Sequence, residues 1–128
     1  MPLRTRTSWW GVTLDAPDAL ELARFYADLL GWELFREPDG DGASVAPSVD
    51  AGYNLGFKTE PQYTRPVWPP QPGWPQMSMH LEIEVDDLDE AVAHALSVGA
   101  EMAHYQPQET VRVMFDPAGH PFCLYLDE

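Results

Sequence analysis

Residues 79–100 read MHLEIEVDDLDEAVAHALSVGA, and residues 11–34 read GVTLDAPDALELARFYADLLGWEL. In the first stretch Leu81, Ile83 and Val85 alternate with His80, Glu82 and Glu84, the period of a half-buried strand. Asp87 follows, with Glu90 three residues later in capping-box spacing. Leu88, Ala91, Val92, Ala95 and Leu96 then share one helical face, and Gly99 stands where such a helix ends. The second stretch repeats the plan. Val12, Leu14 and Ala16 alternate, Asp18 is an N-cap, and Leu22, Phe25, Tyr26, Leu29 and Leu30 form the helical face before Gly31. A shift of 69 positions lays Val12 on Leu81, Leu14 on Ile83, Ala16 on Val85 and Asp18 on Asp87. Gly99 lies 68 positions beyond Gly31, so the second copy is one residue shorter.

Beyond these two copies, Trp32–Phe35 and residues 53–58 read as strands, with a turn-rich loop over Glu37–Gly42. After the second copy, strands are expected around Met102–Gln106, Val111–Phe115 and Phe122–Leu126, with Asp116-Pro-Ala-Gly119 as a turn. Each half therefore reads strand, helix, then about three strands: an α+β chain of two tandem βαβββ modules. Between them lies PQYTRPVWPPQPGWP, residues 61–75, with six of the 13 prolines and two of the five tryptophans. Proline at that density removes ladder donors, so this segment is an extended connector. The division expected is one domain over 1–128, with module one at about 8–60, the connector at 61–76 and module two at about 77–128.

Composition narrows the function. The 128 residues hold 21 acids against 7 Lys and Arg, for a formal net charge of −14. Such a surface repels phosphate backbones and anionic lipids, so neither nucleic acid nor membrane is an expected partner. No apolar run approaches the roughly 20 residues of a spanning helix. The opening MPLRTRTSWWG lacks the apolar core of a secretory signal, and one cysteine, Cys123, has no intrachain partner; both point to the cytoplasm.

Three segments, VTLDAPDALELARFYADLLGWEL, MHLEIEVDDLDEAVAHALSVGA and RVMFDPAGHPFCLYLDE, together resemble the vicinal oxygen chelate superfamily. They are closest to its glyoxalase-like bacterial branch, related to glyoxalase I, bleomycin-resistance proteins and extradiol dioxygenases. The resemblance implies a cupped mixed sheet built from both modules, with the helices on its convex side. It also implies where a metal would bind, because metal-using members take His or Gln from the first strand and Glu from the last strand of each module. Here the first-strand positions are Gly11 and His80. The last-strand positions are Gly56 or a close neighbour, with Lys58 two residues on, and Cys123 in place of Glu. His80 and Cys123 fall short of the three side chains a catalytic zinc requires, and further short of an octahedral ion's ligand set. Glu82 and Glu84 share a face with His80 and could complete a site in a new way. No family-type metal or other cofactor is expected.

The candidate ligand-binding residues are His80, Glu82, Cys123, Tyr125, Arg112 and Trp68. Histidine suits proton transfer near neutral pH, so His80 with Glu82 is also a candidate catalytic pair. His94 falls opposite the apolar stripe and reads as solvated; His120, after the Asp116–Gly119 turn, reads as structural. Cys123 reads as a small buried hydrophobe, with nothing basic near it in sequence. Arg112 and Lys58 are scarce cations able to meet a carboxylate. Trp68 and Trp74 on the connector, and Trp9 and Trp10 before the first strand, suit a cleft wall or a homodimer seam. The reading is a small-molecule-binding protein without the family-type metal. A metal-dependent lyase, isomerase or dioxygenase is one alternative, and a metal-free acid–base enzyme using His80 and Glu82 is another. The ligand's identity is not written in the sequence.

Overall fold

The computed structural model describes residues 8–38 and 40–127. Residues 1–7, on which the reading of the chain's start rests, lie outside that range, as do Asp39 of the Glu37–Gly42 loop and Glu128. The chain forms two compact units that divide between Tyr63 and Thr64.

Unit one runs β1 (Trp10–Ala16), α1 (Ala19–Leu30), β2 (Glu33–Arg36), β3 (Gly42–Ala46) and β4 (Tyr53–Thr59). Unit two runs β5 (Leu81–Glu84), α2 (Leu88–Ser97), β6 (Glu101–Met102), β7 (Val111–Phe115) and β8 (Pro121–Tyr125). Each unit holds one four-stranded sheet, in the orders β1-β4-β3-β2 and β5-β8-β7-β6. In both, the first strand pairs parallel with the last and the remaining pairs are antiparallel. The two halves are thus the same βαβββ unit with the same strand order, as the 69-residue shift predicts.

Both helices start as their sequences require. The Asp18 carboxylate accepts the Glu21 N–H at 3.2 Å and the Asp87 carboxylate accepts the Glu90 N–H at 3.0 Å, satisfying donors a first turn leaves open. Gly31 ends α1 at φ 70°, a left-handed conformation that costs glycine nothing. In unit one α1 buries Leu22, Ala23, Phe25 and Tyr26, and Tyr26 stacks on Phe57 of β4 at 5.6 Å between centroids. In unit two the core joins Leu88 and Ala95 of α2 to Met114, Phe122 and Leu124. Leu96, expected on the buried face, is 47% exposed. Only Leu88 and Ala95 of the α2 stripe are buried, so the helix packs through a narrower face than the periodicity suggests and Leu96 lies outside it.

Two strands differ from expectation. β3, GASVA, was not anticipated, because small residues hide the alternation that its burial pattern shows. β6 is only two residues long where a strand to Gln106 was expected. There the Gln106 side chain takes over the ladder: its amide donates to the carbonyls of Ala103 and Val113 at 2.8 and 2.9 Å and accepts the Val113 N–H at 2.8 Å.

The connector is irregular, as its prolines dictate, yet it closes on itself. The Val67 N–H donates to the Pro75 carbonyl at 2.8 Å, and Val67 forms an isolated bridge with Gln76. No described helix is long and apolar enough to cross a membrane.

Candidate functional site

Alternation along β5 and β8 sorts unit two's sheet into two faces. Half-buried Leu81 and Ile83 share a face with buried Phe122 and Leu124, while Glu82 and Glu84 are exposed and Cys123 and Tyr125 are half-buried. The parallel register sets Glu82 beside Cys123 and Glu84 beside Tyr125. His80, one residue before β5, continues the face of Glu82. The outcome is a cluster: one ligand atom each from His80, Glu82 and Cys123 lies within 4.8 Å of the other two. His80 Nε2 is 3.9 Å from Glu82 Oε1, with the two side chains 34% and 62% exposed. Burial pushes the Cys123 thiol above its ordinary pKa, and the Glu82 charge pushes it the same way.

The same register in unit one sets Thr13 beside Gly56, with Gly11 two residues before Thr13. By the 69-residue shift Gly11 and Thr13 correspond to His80 and Glu82, and the strand register makes Gly56, the partner of Thr13, the counterpart of Cys123, the partner of Glu82. None of the three resembles its counterpart. A Cβ at Gly11 would run into the Asn54 side chain and meet the Asn54 carbonyl at 2.8 Å; one at Gly56 would meet Thr13 Oγ1 at 2.9 Å. Unit one's ligand positions therefore lack donors, and their space is already filled by Asn54 and Thr13. The donor set does not fit a metal centre with ligands from both repeats.

The remaining candidates are dispersed. Tyr125 shares the face of Cys123, one pair farther along. Arg112 pairs with Leu124 and so belongs to the opposite face. Its guanidinium donates to the carbonyls of Gln108, Glu109 and Val111 at 3.3, 3.0 and 2.8 Å, which makes it a clamp on its own loop. Trp68 stacks on Tyr105 at 5.8 Å. It lines a cavity of about 390 Å³ with Arg65, Val67, Trp74 and Phe115. Arg65 lies over the Phe115 ring at 5.4 Å, and its stem covers Gly119, where any Cβ would collide with it. Phe115 is two residues beyond Val113, the β7 partner of Cys123, so strand alternation puts Phe115 on the face of Cys123. Arg65 was not singled out from sequence; its only signal was a cation inside the proline-rich connector. His94 is exposed. His120 holds the Asp116 carboxylate through Nδ1 at 2.9 Å, a turn lock consistent with a structural role.

The geometry can be set against known proteins. The family model described as "Glyoxalase-like domain" matches residues 11–125. A glyoxalase/bleomycin resistance protein from Albidiferax ferrireducens is similar in structure, with a TM-score of 0.64, 15% identity, and 94% of this chain and 98% of that one covered. A glyoxalase/bleomycin resistance protein/dioxygenase family enzyme from Burkholderia phytofirmans gives 0.66 at 18% identity, covering 91% and 95%. The fosfomycin resistance protein FosX from Mesorhizobium loti gives 0.63 at 12% identity, covering 97% and 95%. At these identities the structural likeness speaks for the fold. No curated protein matches the sequence.

Proposed function

The chain belongs to the glyoxalase-like domain family of the vicinal oxygen chelate superfamily, and from that premise we propose that it binds a small organic molecule on the polar face of unit two's sheet, without the family-type metal. What supports this reading is that the His80–Glu82–Cys123 cluster and Phe115, which lines the Trp68 cavity, belong to one face of the same sheet. A ligand spanning both meets hydrogen-bonding groups at one end and flat apolar walls at the other, the usual make-up of a small-molecule site. Tyr125 extends the polar end. Arg112, occupied by three carbonyls, supports the β7 approach loop rather than touching the ligand.

The separation of 3.9 Å between His80 and Glu82 favours a second reading, a metal-free acid–base enzyme. In it His80 accepts a proton from bound substrate and the Glu82 carboxylate stabilises the resulting imidazolium.

Thermal melts across a panel of small organic molecules test the binding reading, since a ligand that binds only the folded state raises its stability. A molecule that raises the wild-type melting temperature is expected to lose most of that effect in His80→Ala and Trp68→Ala. His80→Ala should itself change stability by only about 1 kcal/mol, because it opens no core cavity. Phe122→Ala, at a fully buried position, should cost about 3–5 kcal/mol. A ligand effect that survives both site substitutions places binding elsewhere.

A further inference from the structure

We propose that His80, Glu82 and Cys123 form a binding site for one thiophilic divalent cation of the zinc class, built from the second repeat alone. This goes beyond the reading above and differs from the family's metal centre. That centre draws ligands from both repeats, whereas here unit one offers Gly11 and Gly56, and Glu82 lies outside the family's ligand positions. The cluster is also not a by-product of the fold, because the twin unit has Gly, Thr and Gly at the same three places.

The chemistry of the donors selects the ion. Imidazole, carboxylate and thiolate are the nitrogen, oxygen and sulfur ligands zinc accepts, whereas magnesium and calcium take oxygen ligands in larger number. Three protein ligands with a fourth position left to water or a bound molecule is the pattern of an open zinc site. Around a tetrahedral zinc, neighbouring donor atoms lie about 3.3–3.8 Å apart. The three here already lie within 4.8 Å of one another, and His80 to Glu82 is 3.9 Å. Closing the remainder needs about an ångström of side-chain rotation, which the partly exposed His80 and Glu82 can make. The β5–β8 ladder fixes the backbones of Glu82 and Cys123 side by side, so little of the site must be ordered on binding.

Charge balances. One carboxylate and one thiolate neutralise the ion, and neutral imidazole completes the set. As the S–Zn bond forms, the Cys123 proton leaves to solvent; nothing is oxidised or reduced. Glu84, next along the same face, adds to the attraction for a cation in a chain of formal charge −14.

The test uses the full chain, stripped with chelator, kept reduced and titrated with zinc and then with magnesium by calorimetry. One equivalent of zinc is expected, with proton release visible as a dependence of the heat on the buffer's ionisation enthalpy, and no saturation by magnesium over the same range. Cobalt in place of zinc should give a thiolate-to-metal charge-transfer band that Cys123→Ser abolishes. His80→Ala, Glu82→Gln and Cys123→Ser should each weaken zinc binding beyond the roughly 10- to 100-fold that loss of an outer-shell partner costs. Asp89→Asn, an exposed acid on α2, should leave it unchanged. Two results overturn the proposal. One is zinc affinity unaltered in Cys123→Ser and Glu82→Gln variants of native circular dichroism; the other is wild-type protein with neither saturable zinc binding nor the cobalt band. Either can occur while the organic ligand still binds, so the two readings fail separately.

Discussion

Cys123 and Glu82 face each other across a parallel strand pair, and that neighbourhood sets the thiol's behaviour in metal-free protein. Burial first, then the Glu82 charge, disfavours the thiolate. Alkylation by iodoacetamide in the presence of chelator should be slow at neutral pH and accelerate only above the range of an ordinary cysteine. Glu82→Gln removes one of the two causes and should speed the reaction at a given pH. The linkage has a definite sign. The folded-state pKa is raised, so the folded chain holds the proton more tightly than the unfolded one. The associated stability is therefore complete below the unfolded thiol's pKa and is lost as pH rises through the folded value. Denaturant melts across that range should show stability falling in wild type and falling less in Cys123→Ser. Asp116 is the opposite kind of residue. It is 2% exposed and accepts from the N–H groups of Ala118 and His120 and from the His120 ring. Asp116→Ala should cost about 1–3 kcal/mol through the buried donors it orphans.

At the scale of elements, the helix starts and the β6–β7 junction carry separable contributions. Asp18→Ala and Asp87→Ala should each cost about 0.5–2 kcal/mol, read from denaturant melts, because each leaves a first-turn N–H without its acceptor. Gln106 acts within its element as a substitute strand, bonding both Ala103 and Val113. Gln106→Ala should speed hydrogen exchange at the Val113 N–H and cost about 1–3 kcal/mol. The caps were legible because Asp followed three residues later by a helix N–H is local chemistry. The Gln106 contact was not, because it depends on a loop returning seven residues later to a strand whose length it limits. β3 escaped notice for a related reason: Gly, Ala and Ser carry little pattern, and their burial comes from the α1 face they pack against.

At the scale of the molecule, charge and exposed aromatics govern encounters. Trp9, Trp10, Trp74 and Met79 are 47%, 57%, 65% and 71% exposed. Large apolar side chains on view are costly in water and suit a contact between copies. We expect a homodimer, and sedimentation at tens of micromolar, an order-of-magnitude choice within the range of ordinary association, should show it. Tryptophan emission shifting to the blue with concentration would locate the contact at these residues, whereas monomer throughout would dismiss it.

The duplication, the two helix starts and the polar and apolar faces of β5 were legible along the chain because each rests on periodicity or on contacts a few residues long, and the family was legible through the resemblance of three segments. The sequence also placed His80 and Glu82 on one face. The family resemblance already set Cys123 with His80; what the fold added is that Glu82 is Cys123's partner, since the β5–β8 register brings residues 41 positions apart into one row. The tertiary structure decided too that Arg112 turns to its own loop while Arg65 takes the place over Phe115. A cation's partners depend on which backbone happens to pass within reach, and pattern along the chain carries no record of that.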